Sequence, residues 1–200
     1  QKVIVAPRGM LANSAIHVKK GKKQLFLKVA KWMNLYHHIR WHVTNQAEAD
    51  QVRQQINSGA AIAVADNLPR IVSAGFSALE KESGHLRLIL PARIATEKNT
   101  LYAIECMKHI PERCRVQLDL YGQIYDLTYW QACEAVIGSL PENVSVVHRG
   151  FVEAEEIPHT IRQYHTLFMP TRGENFGHVI LESLMAGRHV IVSDQTTWRN

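Results

Sequence analysis

Acidic side chains are scarce in the first quarter of this 200-residue chain. Residues 1–50 hold only Glu48 and Asp50, against Lys2, Arg8, Lys19, Lys20, Lys22, Lys23, Lys28, Lys31 and Arg40, a local balance of +7 in a chain of net charge +5. The basic character therefore belongs to the first quarter, where it suits nucleic acid, anionic lipid, a phosphorylated substrate or a plain solvated face. Nucleic acid fits least, since no aromatic residues interleave with the cations on strands. Long apolar runs are also missing. Nothing approaches the ~18 continuous apolar residues of a membrane span, and no signal-peptide pattern opens the chain. Cysteine is sparse: Cys106, Cys114 and Cys133 are odd in number and show no CxxC or metal-ligand spacing, so they read as reduced thiols in a cytoplasmic protein. There is no Gly-x-Ser-x-Gly elbow, no Gly-x-x-x-x-Gly-Lys-Ser/Thr loop, no Gly-x-Gly-x-x-Gly and no His-Glu-x-x-His. Low-complexity tracts and short repeats are absent too.

What remains is a chain with 46% hydrophobic residues, ample for a packed core, and an alternation of strand and helix signals. Lys2 to Ala6 reads as a strand that runs into a turn at Pro7-Arg8-Gly9-Met10. Leu25, Phe26, Val29, Trp32, Met33 and Tyr36 recur at helical spacing, which predicts an amphipathic helix over 24–37 with its apolar face in the core. The lysines around it leave a helix at a membrane surface as the alternative. His38 and His42 have i,i+4 spacing, but Trp41 to Thr44 reads as a strand and no Cys or acid completes a metal set, so they read as core or interface histidines. Thr44 or Asn45 caps the next helix, with Glu48 near its third position. Ala60 to Ala65 is another strand. Residues 66–85, with Pro69, Gly75 and Gly84, look like an interdomain linker.

A second α/β run follows, with strands at 86–91, 115–121, 144–147, 166–169 and 190–192. Helices are expected at 100–109, 126–137 and 153–165 and from near Phe176 to Gly187. Five strands separated by four helices make a Rossmann-like half, so the fold class is α/β, a parallel sheet flanked by helices. The chain has no initial Met and stops just past its last strand, which predicts a piece of a longer protein, incomplete at both ends.

The most informative stretch is Thr171 to Gly187. A short strand ends at Pro170, a polar loop with Gly173 and Gly177 follows, and an amphipathic helix then begins. Such a turn aims free N–H groups and the positive end of a helix dipole past the strand end, a natural anion site. Glu174 and Glu182 sit in it with seven residues between them. From a helix start near Phe176, Glu182 lies about 9 Å along the axis, too far for an acid/base pair with Glu174. Two carboxylates flanking a phosphate site suit the hydroxyls at the two ends of a nucleotide-sugar.

Glu174, Phe176-Gly177, Glu182 and Ala186-Gly187 together resemble the signature of retaining, nucleotide-sugar-dependent glycosyltransferases of the group 1, or family 4, type. That family has the two-Rossmann-domain GT-B fold, with its cleft between the domains. The resemblance implies that 1–65 is the remnant of an N-terminal, acceptor-side domain, 66–85 the linker, and 86–200 a truncated donor-binding domain. It also implies roles. Arg93 and Lys98, after the first strand of the second half, would meet the donor diphosphate and stabilise its departure without an essential metal. Glu174 would hydrogen-bond sugar hydroxyls, Asn175, Phe176 and Gly177 would offer backbone N–H groups, and Glu182 would take the ribose. Thr171 would add a contact at the loop start. Gly122, and Arg149, Gly150 and Phe151 in the loop that holds the nucleobase, fall at the same sheet edge, although each also reads as a plain turn residue. The departures are modest: Asn175 stands where Gly is common, and His189 and Thr197 where Pro is frequent.

The expectation is a cytoplasmic hexosyltransferase of polysaccharide biosynthesis, in peripheral contact with an anionic membrane at its inner face. It uses a nucleotide-sugar as substrate, a glycan or lipid-linked acceptor, no cofactor, no metal and no nucleic acid. A nucleotide-sugar epimerase of the same fold and a non-catalytic nucleotide- or membrane-binding scaffold are the alternatives.

Overall fold

The computed structural model describes residues 3–11, 16, 20–57, 59–68 and 78–198. Lys2, Lys19, residues 69–77 of the expected linker, Arg199 and Asn200 lie outside the described residues. Two units are distinguished, residues 1–68 with 174–176 and residues 69–173 with 177–200.

In the first unit, β1 (Val3–Val5), β2 (Ile39–Val43) and β3 (Ala61–Val64) form a parallel sheet in that order. The period of two in β2 turns Trp41 and Val43 into the core, where they meet Ala49, Val52 and Ile56. Among the described residues, α1 (Lys20–Trp32) and α2 (Gln46–Gln55) accompany the sheet. Asn45 caps α2 by accepting the Glu48 N–H, at 2.8 Å. Glu48 is 2% exposed, and its carboxylate accepts the N–H of Gly9 at 2.7 Å and the N–H and hydroxyl of Thr44 at 2.8 and 3.0 Å. One acid thus holds the turn after β1 to the end of β2.

Helix α1 departs from expectation. It runs from Lys20 to Trp32, four residues early at its start and five at its end, and of the face predicted for the core Leu25, Phe26, Val29, Trp32 and Met33 are exposed, while Tyr36, beyond the helix, is half-buried and packs on Trp41 as expected. The inward side is narrower, with Ala30 buried and Leu27 half-buried against the core. Periodicity shows that a helix has an apolar stripe, but which side meets the sheet depends on the neighbours. His42 lies in β2, and the rings of His37 and His38 pack edge to face at 4.5 Å.

The second unit holds β4 (His85–Pro91), β5 (Arg115–Tyr121), β6 (Val144–His148), β7 (Thr166–Met169) and β8 (His189–Val192), all parallel, in the order β6-β5-β4-β7-β8. In chain order this reads 3-2-1-4-5, so the direction of winding reverses between β4 and β7. Central strand β4 is apolar on both sides, as a doubly covered strand must be. Leu88 and Leu90 enter a core shared with α3 (Thr100–Cys106) and α4 (Leu127–Ile137), and Ile89 enters another with Ile161 of α5 (Ile157–Ile161) and Ile180 of α6 (His178–Met185). Each such side chain contributes roughly 1.5–3 kcal/mol on burial. Cys106, Cys114 and Cys133 are free, and burial pushes the Cys133 thiol up to about 11.

Three helices are shorter than expected. The 100–109 segment is α-helical only to Cys106 and tightens to a 3₁₀ turn at Met107–His109. Expected over 153–165, α5 has five residues. Pro158 has no N–H to donate and must sit in a first turn, while the His165 N–H already bonds to the Arg87 carbonyl of β4 at 2.9 Å. Helix α6 begins at His178 because Gly177 is left-handed, with φ 75°.

Candidate functional site

Because all five strands of the second sheet run the same way, the loops after β4, β5, β6 and β7 emerge at one edge. Ligands of such sheets bind there, beside the point where the strand order reverses. The two loops that flank this point are 92–99, carrying Arg93 and Lys98, and 170–177, carrying the first of the paired acids.

Four hydrogen bonds join them. Glu97 O accepts the Thr171 hydroxyl at 3.0 Å and the Arg172 N–H at 2.9 Å. The Asn99 amide donates to Pro170 O at 3.0 Å and accepts from Arg172 Nε at 3.1 Å. Asn99 reaches this position through a left-handed backbone, φ 58°, between the 3₁₀ turn Thr96–Lys98 and α3. Thr171 is buried, and its hydroxyl also reaches Gly173 O at 2.9 Å. The loop bearing Lys98 is therefore held against the end of β7. Sequence reading noticed neither Glu97 nor Arg172 as a tie. The one signal was Asn99, an Asn directly before a helix, which is a cap by pattern but here bonds another loop.

On the other side, backbone bonds carry the ladder past the strand ends. Ala92 N–H donates to Tyr121 O at 2.8 Å, Ile94 N–H to Gln123 O at 2.9 Å, and Gly122 N–H to Gly150 O at 2.8 Å. Gly122 has φ 147°, and a Cβ there would lie 2.2 Å from Ala92 O. Its smallness serves the packing of one loop on the next. Gly150, at φ 81°, is left-handed with open space where a Cβ would stand. Arg93 is exposed and lies over the Tyr125 ring at 5.4 Å from its centroid. Phe151 is 57% exposed.

Arg149 is anchored rather than free. Its Nε donates to Asp119 at 2.9 Å, an ion pair that raises the guanidinium further above its already high range. Asp119 is 2% exposed and also accepts the Tyr164 hydroxyl at 2.7 Å and the Gln117 amide at 3.0 Å. Burial holds the Tyr164 hydroxyl in its neutral form, and it meets Tyr121 Oη at 2.9 Å. A lone acid between Leu118 and Leu120 of a buried strand was the readable signal for this network.

Helix α6 starts without a side-chain cap, so the N–H groups of its first turn present the dipole's positive end. Glu174 and Asn175 are half-buried, the Asn175 N–H donating to Glu174 Oε1 at 3.1 Å; Phe176 is half-buried and Gly177 buried. Glu182, one turn into α6, is 9% exposed beside fully buried Ser183. Arg93, Lys98, Gly122, Arg149, Gly150, Phe151, Thr171, Gly177 and Glu182 all belong to the second unit, whereas 174–176 group with the first. Among the described residues no group of three His, Cys, Asp or Glu side chains is placed to hold a metal.

Parallel sheets flanked by helices, with loops gathered at a reversal of strand order, define a Rossmann-like fold of the GT-B glycosyltransferase type. The family profile "Glycosyl transferases group 1" matches residues 75–199, and the chain belongs to that family. Among solved structures it is similar to Anabaena HepE in complex with UDP and glucose, with a TM-score of 0.71 and 14% identity over 98% of this chain and 54% of that one. It is also similar to sucrose-phosphate synthase from Thermosynechococcus elongatus, with a TM-score of 0.70 and 18% identity over 96% and 50%. A glycosyltransferase from Rickettsia africae gives a TM-score of 0.58 and 13% identity over 86% and 48%. The chain thus spans about half the length of these proteins. Searched against curated proteins, the sequence finds no match.

Proposed function

We propose that the protein to which this chain belongs transfers a sugar from a nucleotide-sugar donor to a glycan or lipid-linked acceptor with retention of configuration, and that this chain is mainly its donor-binding part. The observation that carries the reading is the set of four hydrogen bonds between loops 92–99 and 170–177 at the strand-order reversal. These bonds tie the loop that carries Lys98 to the end of β7, the strand before α6, and so support a diphosphate site at this sheet edge. Neighbours solved with UDP and glucose or with UDP-glucose support the same substrate class.

In this reading Arg93 and Lys98 stabilise negative charge on the departing nucleoside diphosphate, and no essential metal is needed. Glu174 accepts from sugar hydroxyls, with the N–H groups of Asn175, Phe176 and Gly177 beside it. Glu182 takes the ribose. Arg149, held by Asp119, keeps the 149–151 loop in place so that its backbone, with Phe151, borders the nucleobase. Gly122 lets the loop after β5 pack on Ala92 of the 92–99 loop. Residues 1–65 are the end of an acceptor-side domain and 66–85 the linker. The protein works in the cytoplasm on polysaccharide, in peripheral contact with an anionic membrane.

Calorimetric titration with UDP, GDP and ADP and their sugars tests the reading. One nucleotide should bind saturably, and Glu182→Ala and Arg93→Ala should each weaken it by about tenfold or more. Unchanged affinity in both variants would refute the assignment. Conversion of free donor without acceptor would point instead to an epimerase.

A further inference from the structure

We infer that Tyr125 is a positioning residue of the donor site, whose ring holds the Arg93 guanidinium ready for the diphosphate. The inference rests on the reading that Arg93 meets that diphosphate, and it adds the residue that puts Arg93 in place. The two lie on loops joined beyond their strands. Ile94 and Ile124 pair as a parallel bridge, and the Ile94 N–H donates to Gln123 O at 2.9 Å. Ile94 is fully buried and Ile124 packs on the same core, so the alternation of an extended ladder turns Arg93 and Tyr125, their chain neighbours, to the opposite face. Both are exposed there, with the guanidinium carbon over the ring at 5.4 Å from its centroid. Backbone fixes the mount. Gly122 lets the two loops approach this closely, and Asp126, directly after Tyr125, accepts the Tyr129 N–H at 3.1 Å as the cap of α4, so Tyr125 stands at the entry of a capped helix.

The chemistry of the partner explains why a ring suits this place. Among the described residues Arg93 forms no ion pair. A carboxylate beside it would take up its N–H donors and offset the charge that a diphosphate is to meet. A ring face attracts the cation through its quadrupole but carries no net charge, so the guanidinium keeps its own charge and its donor fork for phosphate oxygens. Orientation is what the ring adds. An exposed arginine on a loop has wide rotamer freedom to lose on binding, and a side chain already held over a ring loses less of it. Burial in the core does not account for Tyr125, which is 63% exposed. Tyr125 need not touch the donor for this effect, because it acts through Arg93.

The test is calorimetric titration of the full-length protein with UDP, GDP and ADP and with the matching monophosphates. Tyr125→Leu, which keeps bulk without a ring face, should weaken binding of the diphosphate about two- to fivefold, the factor that an exposed cation–π contact carries, and binding of the monophosphate less. Tyr125→Phe should keep the wild-type affinity, since the ring face and not the hydroxyl does the holding. In an Arg93→Ala background, Tyr125→Leu should change nothing further, as it must if Tyr125 acts through Arg93. NMR of the ligand-free protein gives a second reading: the Arg93 Cδ protons should lie upfield, shielded by the ring, and return to ordinary positions in Tyr125→Leu. Equal affinities for wild type and Tyr125→Leu, where Arg93→Ala weakens binding, would overturn this inference alone. So would a Tyr125→Leu loss undiminished in the Arg93→Ala background, which would mean that the ring touches the donor itself. If Arg93→Ala leaves affinity unchanged, or no nucleotide binds, the donor reading fails and this inference falls with it.

Discussion

At the scale of single residues, two buried side chains have work set by their neighbours. Asp119 accepts from Arg149, Tyr164 and Gln117 at once. Asp119→Ala leaves the Tyr164 hydroxyl without that acceptor, while the half-exposed guanidinium returns to water. Urea unfolding should show a loss of about 2–3 kcal/mol, and Asp119→Asn should lose less. His165 is the second case. Its Nδ1 accepts the Arg87 N–H at 2.9 Å while Nε2 faces Glu80 O at 3.2 Å, so the ring is neutral with its proton on Nε2. Burial lowers its pKa below the ordinary 6.5. The unfolded chain therefore takes up the proton first, and the stability contributed by the neutral ring is complete above about pH 6.5 and falls as pH drops through the folded value. Urea midpoints between about pH 8 and 5 should decline for the wild type and decline less for His165→Gln. Parallel curves would remove His165 as the cause.

At the scale of elements, loops are held by side chains that pattern reading assigns to helix ends. Glu48 stands where a capping-box acid is expected, and of the two caps the sequence offered, Thr44 and Asn45, Asn45 is the one used. Its carboxylate, however, also holds the Gly9 N–H, 39 residues away in sequence. Glu48→Ala would leave the Gly9 and Thr44 N–H groups in a closed site without an acceptor, so the first unit should lose about 3 kcal/mol in urea unfolding, several times what loss of a surface cap costs. A loss below ~1 kcal/mol would mean that water replaces the carboxylate. Gly122 shows the same logic for backbone: the Gly signal was readable, but its reason, the Ala92 carbonyl 2.2 Å from a would-be Cβ, belongs to the loop alongside. The α1 stripe is the opposite case, since its spacing was read correctly and its direction was not.

At the scale of the whole molecule, the chain spans about half the length of the solved proteins it resembles. Catalysis of transfer needs an acceptor held beside the donor, so the 200-residue chain alone is expected to bind nucleotide without turning over donor in the presence of glycan acceptors. Turnover above that of a Glu174→Ala control, followed by release of free nucleoside diphosphate, would refute this.

The sequence by itself determined the α/β alternation, the β5 limits, a cap at Thr44 or Asn45 and the family. These rest on local causes: side-chain period, cap chemistry and a motif contained in 17 consecutive residues, Thr171 to Gly187. Only the tertiary structure decided the strand order 3-2-1-4-5, the pairing of Arg149 with Asp119, the bonds of Asn99 and Glu97 to the loop after β7, and the exposure of the α1 stripe. Each of those joins residues distant in the chain, and a side chain's partner there depends on how sheets and loops pack, which no local period encodes.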